Sequence, residues 1–125
     1  MGATSARILL VEDENAPGRT ATSALEALGH QVLWVRSVRE ARQRLGEGGW
    51  DVLVLDVSLD SDGLEYFQAL RFAPEHPRGG VVIMTEPGDV QTKERAKQLG
   101  AAGVVAKPLV PDELAGVVQD LLAFI

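Results

Sequence analysis

Residues 51–57 have the sequence DVLVLDV, in which four consecutive apolar residues are followed by an acid. The run lacks the alternation of apolar and polar side chains that marks a strand with one face in water. It therefore predicts a strand buried on both faces of a parallel sheet. An ionised carboxylate within such a strand is costly unless it is paired, coordinated or placed at the open end of the strand. Asp56 is thus the first candidate for a functional side chain.

Four further apolar runs lie on either side of this strand and are separated by longer, charge-rich segments. They occupy residues 8–11, 32–35, 81–84 and 103–106. The run at 32–35 contains Trp34, whose large ring suits a partly exposed position, so we expect this strand at an edge of the sheet.

The segments between the runs carry helix signals. Ser37 and Glu40 form a capping box, and Asn15 and Asp89 are expected to act as N-caps of their helices. Helices are predicted over residues 16–28, 38–45, 63–72 and 90–99, with a fifth beginning at Pro111. Strands and helices thus alternate five times. This pattern predicts one α/β domain over residues 1–125, with a parallel sheet between two layers of helices.

The composition narrows the possible functions. A chain of 125 residues, 46% of them hydrophobic, suits one globular domain. The absence of cysteine excludes disulfides, cysteine-ligated metals and a thiol nucleophile. A net charge of −6 argues against direct binding of nucleic acid by this domain. No apolar run approaches the ~20 residues that span a bilayer, so we expect a soluble, cytoplasmic protein without membrane contact.

Polar residues follow four of the five predicted strands. Glu12 and Asp13 follow the first strand, and Asp56 ends the third. Thr85 and Lys107 follow the fourth and the fifth. Each has a structural explanation by itself, such as a helix cap, the last residue of a strand or a solvated lysine. Together they bring three acids and one base to the carboxyl edge of the sheet, where such folds bind their ligands.

The excess of negative charge at this edge predicts a bound cation. Clustered carboxylates take up protons or bind metal, and oxygen ligands suit Mg²⁺, which often bridges to a phosphate. A phosphoryl group held between the metal, Thr85 and Lys107 would meet the carboxylate of Asp56. That carboxylate can act as a nucleophile toward phosphorus.

Several motifs occur in the order and at the spacing found in a known family. They are residues 8–14 (ILLVEDE), 51–56 (DVLVLD) and 62–65 (DGLE), with Thr85 and Lys107-Pro108. Over essentially its whole length, the sequence resembles a receiver domain of the response regulators of two-component signalling. The resemblance implies a (βα)5 flavodoxin-like three-layer sandwich, with a five-stranded parallel sheet in the order 2-1-3-4-5. It also implies a phosphorylation-dependent switch that is not an enzyme beyond assisting its own phosphorylation and dephosphorylation.

The resemblance implies a role for each acidic residue at the strand ends. Asp56 resembles the phosphoacceptor, which takes a phosphoryl group from a histidine kinase, a histidine phosphotransfer protein or a small phosphodonor. Asp13 would bind Mg²⁺ directly, and Glu12 would bind it directly or through water. Ser58 would contribute its backbone carbonyl to the metal.

The remaining residues of the motif concern the phosphoryl group and the output. Thr85 and Lys107 would each hold a phosphoryl oxygen, and Pro108 would follow Lys107 through a cis peptide bond. Phosphorylation would change the surface of helix 4, strand 5 and helix 5. An output domain, a downstream protein or a second copy of the chain would bind there.

Four residues depart from the usual pattern of the family. Asp60 stands where proline is usual, in a loop that is one residue shorter. Glu86 replaces a small residue, and Val104 replaces an aromatic residue whose rotation reports phosphorylation. Leu109 replaces an aromatic residue after the Lys-Pro pair. We expect Glu86 to slow phosphorylation or to make the site dependent on high Mg²⁺. We expect the output to come from movement of the loop or of helix 4, with backbone shifts around residues 85–91.

Alternative functions follow from the same pattern. A pseudo-receiver would use the fold as a phosphorylation-independent interaction module. A phosphatase of the haloacid-dehalogenase type would need a second acid where Ser58 stands, because a hydroxyl cannot serve as general acid near neutral pH. The two histidines, His30 and His76, are interpreted as exposed turn residues. The two tryptophans, Trp34 and Trp50, are interpreted as packing residues.

Overall fold

The computed structural model describes residues 5–58 and 62–124 of the chain. The strands are β1 (Arg7–Val11), β2 (Gln31–Val35), β3 (Val52–Asp56), β4 (Gly80–Thr85) and β5 (Gly103–Ala106). The helices are α1 (Asn15–Glu26), α2 (Val38–Leu45), α3 (Asp62–Leu70), α4 (Val90–Gln98) and α5 (Pro111–Leu122). The expectation for Asp60 falls outside the described residues.

The five strands form one parallel sheet in the order β2-β1-β3-β4-β5. This order confirms the predicted topology and places β2, with Trp34, at an edge. All five residues of β3 are buried, and Asp56 is the last of them, in register with Met84 of β4. The chain order reverses at β1, so β1 and β3 frame the crevice where ligands of such sheets bind.

The core lies on both faces of the sheet, which explains why the strand sequences do not alternate. Odd-numbered positions of β1 and β3, such as Leu9 and Leu53, pack with α2, α3 and α4. Their neighbours Ile8 and Val54 pack with α1 and α5 on the opposite face. Because the inner strands β1 and β3 are covered on both sides, residues 8–11 and 52–55 are all apolar and buried, and the first acids stand at the carboxyl edge.

Two of the three predicted helix caps are present. Ser37 Oγ accepts a hydrogen bond from the Glu40 N–H at 3.1 Å. Asp89 accepts one from the Thr92 N–H at 3.0 Å. The prediction for Asn15 is wrong, because Asn15 is the first residue of α1 and its side-chain oxygen accepts a hydrogen bond from Arg36 at 2.7 Å.

The interpretation of the histidines as exposed is also wrong. His30 is buried, and its Nδ1 accepts a hydrogen bond from the Ala6 N–H at 3.1 Å. Its Nε2 lies 2.7 Å from Gln119 Oε1 and donates to it, because Nδ1 is already an acceptor. His76 is half-buried. A histidine next to a glycine in a turn gave no sequence signal of this contact between β1, β2 and α5.

Three other features bear on the predictions. The bond between Lys107 and Pro108 is cis, as expected. Helix α3 ends at Leu70 rather than at Phe72, whose ring is exposed. Across residues 5–58 and 62–124, no helix combines the length and the apolar character needed to cross a membrane.

Candidate functional site

The carboxyl edge of the sheet gathers the residues that the sequence singled out. Glu12 follows β1, Asp56 ends β3, Thr85 ends β4 and Lys107 follows β5. Glu12 and Asp56 are completely buried and Thr85 is almost so, whereas Asp13 is exposed. Buried acids at the open end of an apolar sheet need partners, and the partners define the site.

Lys107 lies at the centre of the site and contacts three carboxylates. Its Nζ is 2.5 Å from Asp56 Oδ2 and 3.0 Å from Glu12 Oε1. A third contact, of 3.2 Å, joins it to Glu14 Oε1, on a side chain that is 63% exposed. In the sequence, the position of Glu14 directly after Glu12 and Asp13 is the signal of this proximity.

The two buried carboxylates are each satisfied on one oxygen only. Asp56 Oδ1 accepts hydrogen bonds from the Ser58 N–H at 2.8 Å and the Ser58 hydroxyl at 2.5 Å. Glu12 Oε2 accepts one from the Glu14 N–H at 3.1 Å. Asp56 Oδ2 and Glu12 Oε1 accept no hydrogen bond from the described residues, and their contact with Lys107 is an ion pair without hydrogen-bond alignment. One ammonium group therefore serves two buried anionic oxygens.

These acids fit a divalent cation. Glu12, Asp13 and Asp56 each offer a carboxylate oxygen, and the three oxygens lie within 4.8 Å of one another. Buried anionic oxygens without hydrogen bonds, next to an exposed carboxylate, form the all-oxygen donor set that Mg²⁺ prefers. The cluster could therefore bind a metal ion.

Burial and the nearby charges shift the pKa values of Glu12 and Lys107. Burial, followed by the carboxyl of Asp56, raises the pKa of Glu12 to about 7, although the Glu14 N–H and Lys107 act in the opposite direction. Burial alone would lower the pKa of Lys107, but Asp56 and Glu12 outweigh it and raise this pKa above its usual value. Lys107 is thus charged, and without a bound cation Glu12 is partly protonated near neutral pH.

A surface depression of about 430 Å³ lies beside Lys107. Lys107 forms part of its wall, together with Glu14 and Pro17 of the α1 side and with Glu86 and Leu109 of the loops that follow β4 and β5. The exposed carboxylate of Glu86 therefore lines the approach to Lys107, as its place after Thr85 suggested. Leu109 packs partly against the core.

Val104 occupies the position on β5 where the family usually has an aromatic ring. It is half-buried and packs against the core cluster beneath α4. A valine side chain has no ring that could turn between an inward and an outward position.

Relatives of the chain identify the family of this site. The chain matches the profile of the response regulator receiver domain over residues 8–119. The swarming motility regulation protein RssB of Serratia marcescens is 35% identical over 108 residues, which are 86% of this chain and 48% of that protein. The alginate biosynthesis transcriptional regulatory protein AlgB of Pseudomonas putida is 38% identical over 109 residues, which are 86% of this chain and 24% of that protein.

A solved structure gives the same result for the fold. A putative response regulator from Chloroflexus aurantiacus superposes with a TM-score of 0.86 and 28% sequence identity, over 96% of this chain and 99% of that one. The sheet order and the helix layers define the flavodoxin-like receiver fold. The chain belongs to the response regulator receiver family, whose members act in two-component signalling. It spans about half of the length of RssB and about a quarter of that of AlgB.

Proposed function

We propose that residues 1–125 work as one receiver domain, a switch in a two-component phosphorelay with Asp56 as its phosphoacceptor. The observation that carries this proposal is the state of Asp56 Oδ2, which is buried, accepts no hydrogen bond and lies 2.5 Å from Lys107 Nζ. An anionic oxygen left in this state is both a nucleophile and a ligand. A purely structural buried carboxylate would be expected to have hydrogen bonds to both of its oxygens.

The proposed step transfers a phosphoryl group to Asp56. A carboxylate oxygen forms a bond to phosphorus while the bond between phosphorus and an imidazole nitrogen of the donor breaks, and the imidazole keeps the electron pair. Mg²⁺, held by Glu12, Asp13, Asp56 and the carbonyl of Ser58, would neutralise the negative charge that builds up on the transferring oxygens. The donor loses its phosphoryl group and the domain itself carries it afterwards, so the proposed role is a switch that assists only its own phosphorylation and dephosphorylation.

Lys107 and Thr85 are proposed to hold the product. The Lys107 ammonium already lies against Asp56 and would pair with a phosphoryl oxygen attached there. Thr85 ends β4, the strand next to β3, and its hydroxyl would donate a hydrogen bond to another phosphoryl oxygen. Because Thr85 ends β4 and Lys107 follows β5, a phosphoryl group on Asp56 would interact with the ends of both strands.

The partners follow from where these groups face. A histidine kinase or histidine phosphotransfer protein would dock over the depression that Pro17 and Lys107 line, and would reach Asp56 beside Lys107. The surface of α4, β5 and α5 would carry the output to an attached domain, a downstream protein or a second copy of the chain. Since Val104 has no ring to rotate, the change at this surface would come from backbone movement over residues 85–91. We expect no direct contact with nucleic acid or membrane, and a cytoplasmic location.

The decisive test is modification of the chain by a small phosphodonor. Wild type and Asp56→Asn are incubated with acetyl phosphate, with Mg²⁺ and with EDTA, and the intact mass is measured. We expect one phosphoryl adduct on wild type that requires Mg²⁺, and none on Asp56→Asn. Beryllofluoride should bind to wild type under the same conditions. If neither reagent modifies wild type, the fold serves instead as a phosphorylation-independent interaction module.

A further inference from the structure

The side chains of Trp34, in the edge strand β2, and of Arg36, just after β2, contact the β1–α1 loop. This loop carries the acidic pair Glu12 and Asp13. The indole N–H of Trp34 donates a hydrogen bond to the carbonyl oxygen of Glu12 at 2.7 Å. The guanidinium of Arg36 donates to the carbonyl oxygen of Asp13 at 3.1 Å and to the side-chain oxygen of Asn15 at 2.7 Å. The carbonyl groups of both consecutive acids are therefore bound by side chains from outside the loop.

The two side chains also support one another. The Arg36 guanidinium lies over the Trp34 ring, 4.5 Å from its centroid. On the other side, the ring packs against α1 at Gly18, where an added Cβ would stand 1.9 Å from the Trp34 Cζ2 atom. Only glycine at this position lets the indole lie beneath α1. The N–H of Glu12 in turn donates to the carbonyl oxygen of Val35 at 3.0 Å, so both backbone groups of Glu12 are bound to β2.

This support matters because the loop carries charges that repel one another. Glu12, Asp13 and Asp56 bring their carboxylates within 4.8 Å, and the loop could relieve that repulsion by moving away from β3. Fixing the carbonyl groups of Glu12 and Asp13 opposes this movement. Ligand oxygens that are already held in place bind a cation more tightly, because less conformational entropy is lost on binding.

We propose that Trp34 and Arg36 are positioning residues, which hold the β1–α1 loop so that Glu12 and Asp13 are ready for a divalent cation. The inference rests on the proposed metal site, but it concerns the loop even when no metal is present. Neither residue touches the phosphoryl group. Their effect is on how much Mg²⁺ the site requires.

The chain contains a matched control at the amino edge of the sheet, opposite the carboxyl edge where the acids lie. The indole N–H of Trp50 donates to the carbonyl oxygen of Arg44 at 2.9 Å, and Arg7 lies over its ring at 4.3 Å. Arg7 also donates to the carbonyl oxygen of Gly49 at 3.3 Å. This second pair repeats the chemistry of the first at an edge that holds none of the predicted metal ligands.

The test compares Trp34→Phe with Trp50→Phe. Phenylalanine keeps an aromatic ring and removes the N–H donor in both. Loss of one such hydrogen bond should weaken Mg²⁺ binding by ~3- to 10-fold in Trp34→Phe, and leave it unchanged in Trp50→Phe. Calorimetric titration with MgCl₂ measures the affinity. Equal weakening in both variants, or none in either, would overturn the proposal for Trp34.

In Arg36→Gln, electrostatics and loop positioning predict opposite changes in Mg²⁺ affinity. A nearby positive charge repels a cation, so the electrostatic effect of removing it would by itself tighten Mg²⁺ binding. Loss of the loop contacts should weaken it, and we expect weaker binding. Tighter binding in Arg36→Gln would overturn the assignment for Arg36. Arg7→Gln is the control, with unchanged affinity.

A measurement without metal separates this inference from the proposed function. The Glu14 N–H, which is bonded to Glu12 Oε2, should exchange with solvent ~3- to 10-fold faster in metal-free Trp34→Phe, and at the wild-type rate in Trp50→Phe. If wild type binds Mg²⁺ but is not phosphorylated while this difference persists, the proposed function fails and the positioning role stands. If the exchange rates are equal, the positioning role fails whatever the phosphorylation assay gives.

When wild type is active, a second signature applies. The rate of phosphorylation by acetyl phosphate in Trp34→Phe should require ~3- to 10-fold more Mg²⁺ and reach the wild-type maximum at saturation. A lowered maximum at saturating Mg²⁺ would contradict a role confined to positioning the loop.

Discussion

The amino and carboxyl edges of the sheet are built from similar parts, but among the described residues they differ in how completely their buried carboxylates and rings are hydrogen-bonded. At the amino edge, both ring nitrogens of His30 have partners, and Asp51 accepts from the Arg7 N–H at 2.9 Å while it pairs with Arg78 at 3.3 Å. At the carboxyl edge, Asp56 and Glu12 each keep a buried oxygen that accepts no hydrogen bond. The first edge stabilises the fold. The second gives up part of that stability at the cluster that we propose binds a cation and accepts a phosphoryl group.

Removing the cation at each edge should give the largest contrast. Lys107→Met leaves two buried carboxylates without their shared partner, and should lower the free energy of unfolding by about 3 kcal/mol at pH 8 without metal. Arg78→Met removes a cation that is 71% exposed and should cost less than about 1 kcal/mol. Urea unfolding followed by circular dichroism measures both. An equal loss of unfolding free energy in the two variants would mean that Lys107 does not offset repulsion between the buried carboxylates.

Acid should stabilise the carboxyl edge when metal is absent. Because the pKa of Glu12 rises from 4.5 to about 7 on folding, the folded chain binds more protons than the unfolded chain in that interval. The free energy of unfolding should therefore fall by roughly 1–3 kcal/mol as the pH rises from about 4.5 to about 7.

Glu12→Gln should flatten this pH dependence, and so should saturating Mg²⁺ in the wild type. Thermal unfolding across the pH range, with Glu75→Gln as an exposed control at the amino edge, is the measurement. A wild-type slope that survives in Glu12→Gln would assign it to another group.

A change at the amino edge should affect stability alone. His30→Ala leaves the buried Ala6 N–H without its acceptor, and should lower the free energy of unfolding by about 1–2 kcal/mol. Mg²⁺ affinity and the rate of modification by acetyl phosphate should stay at the wild-type values. A weaker Mg²⁺ site in His30→Ala would show that the two edges are coupled through the sheet.

The smallest effect is expected at the mouth of the depression. Glu86 is exposed, and its charge repels an anionic donor only weakly through water. Glu86→Ala should therefore speed up modification by acetyl phosphate by about 2- to 5-fold at low salt, and less at high salt. Glu75→Ala serves as the control. If Glu86→Ala is labelled no faster than wild type, Glu86 does not limit access to Asp56.

Several features could be predicted from the sequence because they depend on local chemistry or on strong patterns. Continuous apolar runs predicted strands covered on both faces, and Ser37 and Asp89 were found as helix caps. Asp56 was singled out because an acid is unexpected within such a run. Asn15 was misassigned, since a cap residue is also a good hydrogen-bond acceptor and Arg36 lies 21 positions away in sequence.

What the sequence determined by itself is the layered α/β fold and the set of acids, hydroxyl and lysine that end its strands, because the cost of burying polar groups fixes where each can stand. Only the tertiary structure decided how these groups share their charge. It brought Glu14 to Lys107, left one oxygen of Glu12 and one of Asp56 without a hydrogen bond, and placed Trp34 against the acidic loop. These contacts join residues far apart in the chain, and their distances depend on the packing of whole elements, which no local pattern encodes.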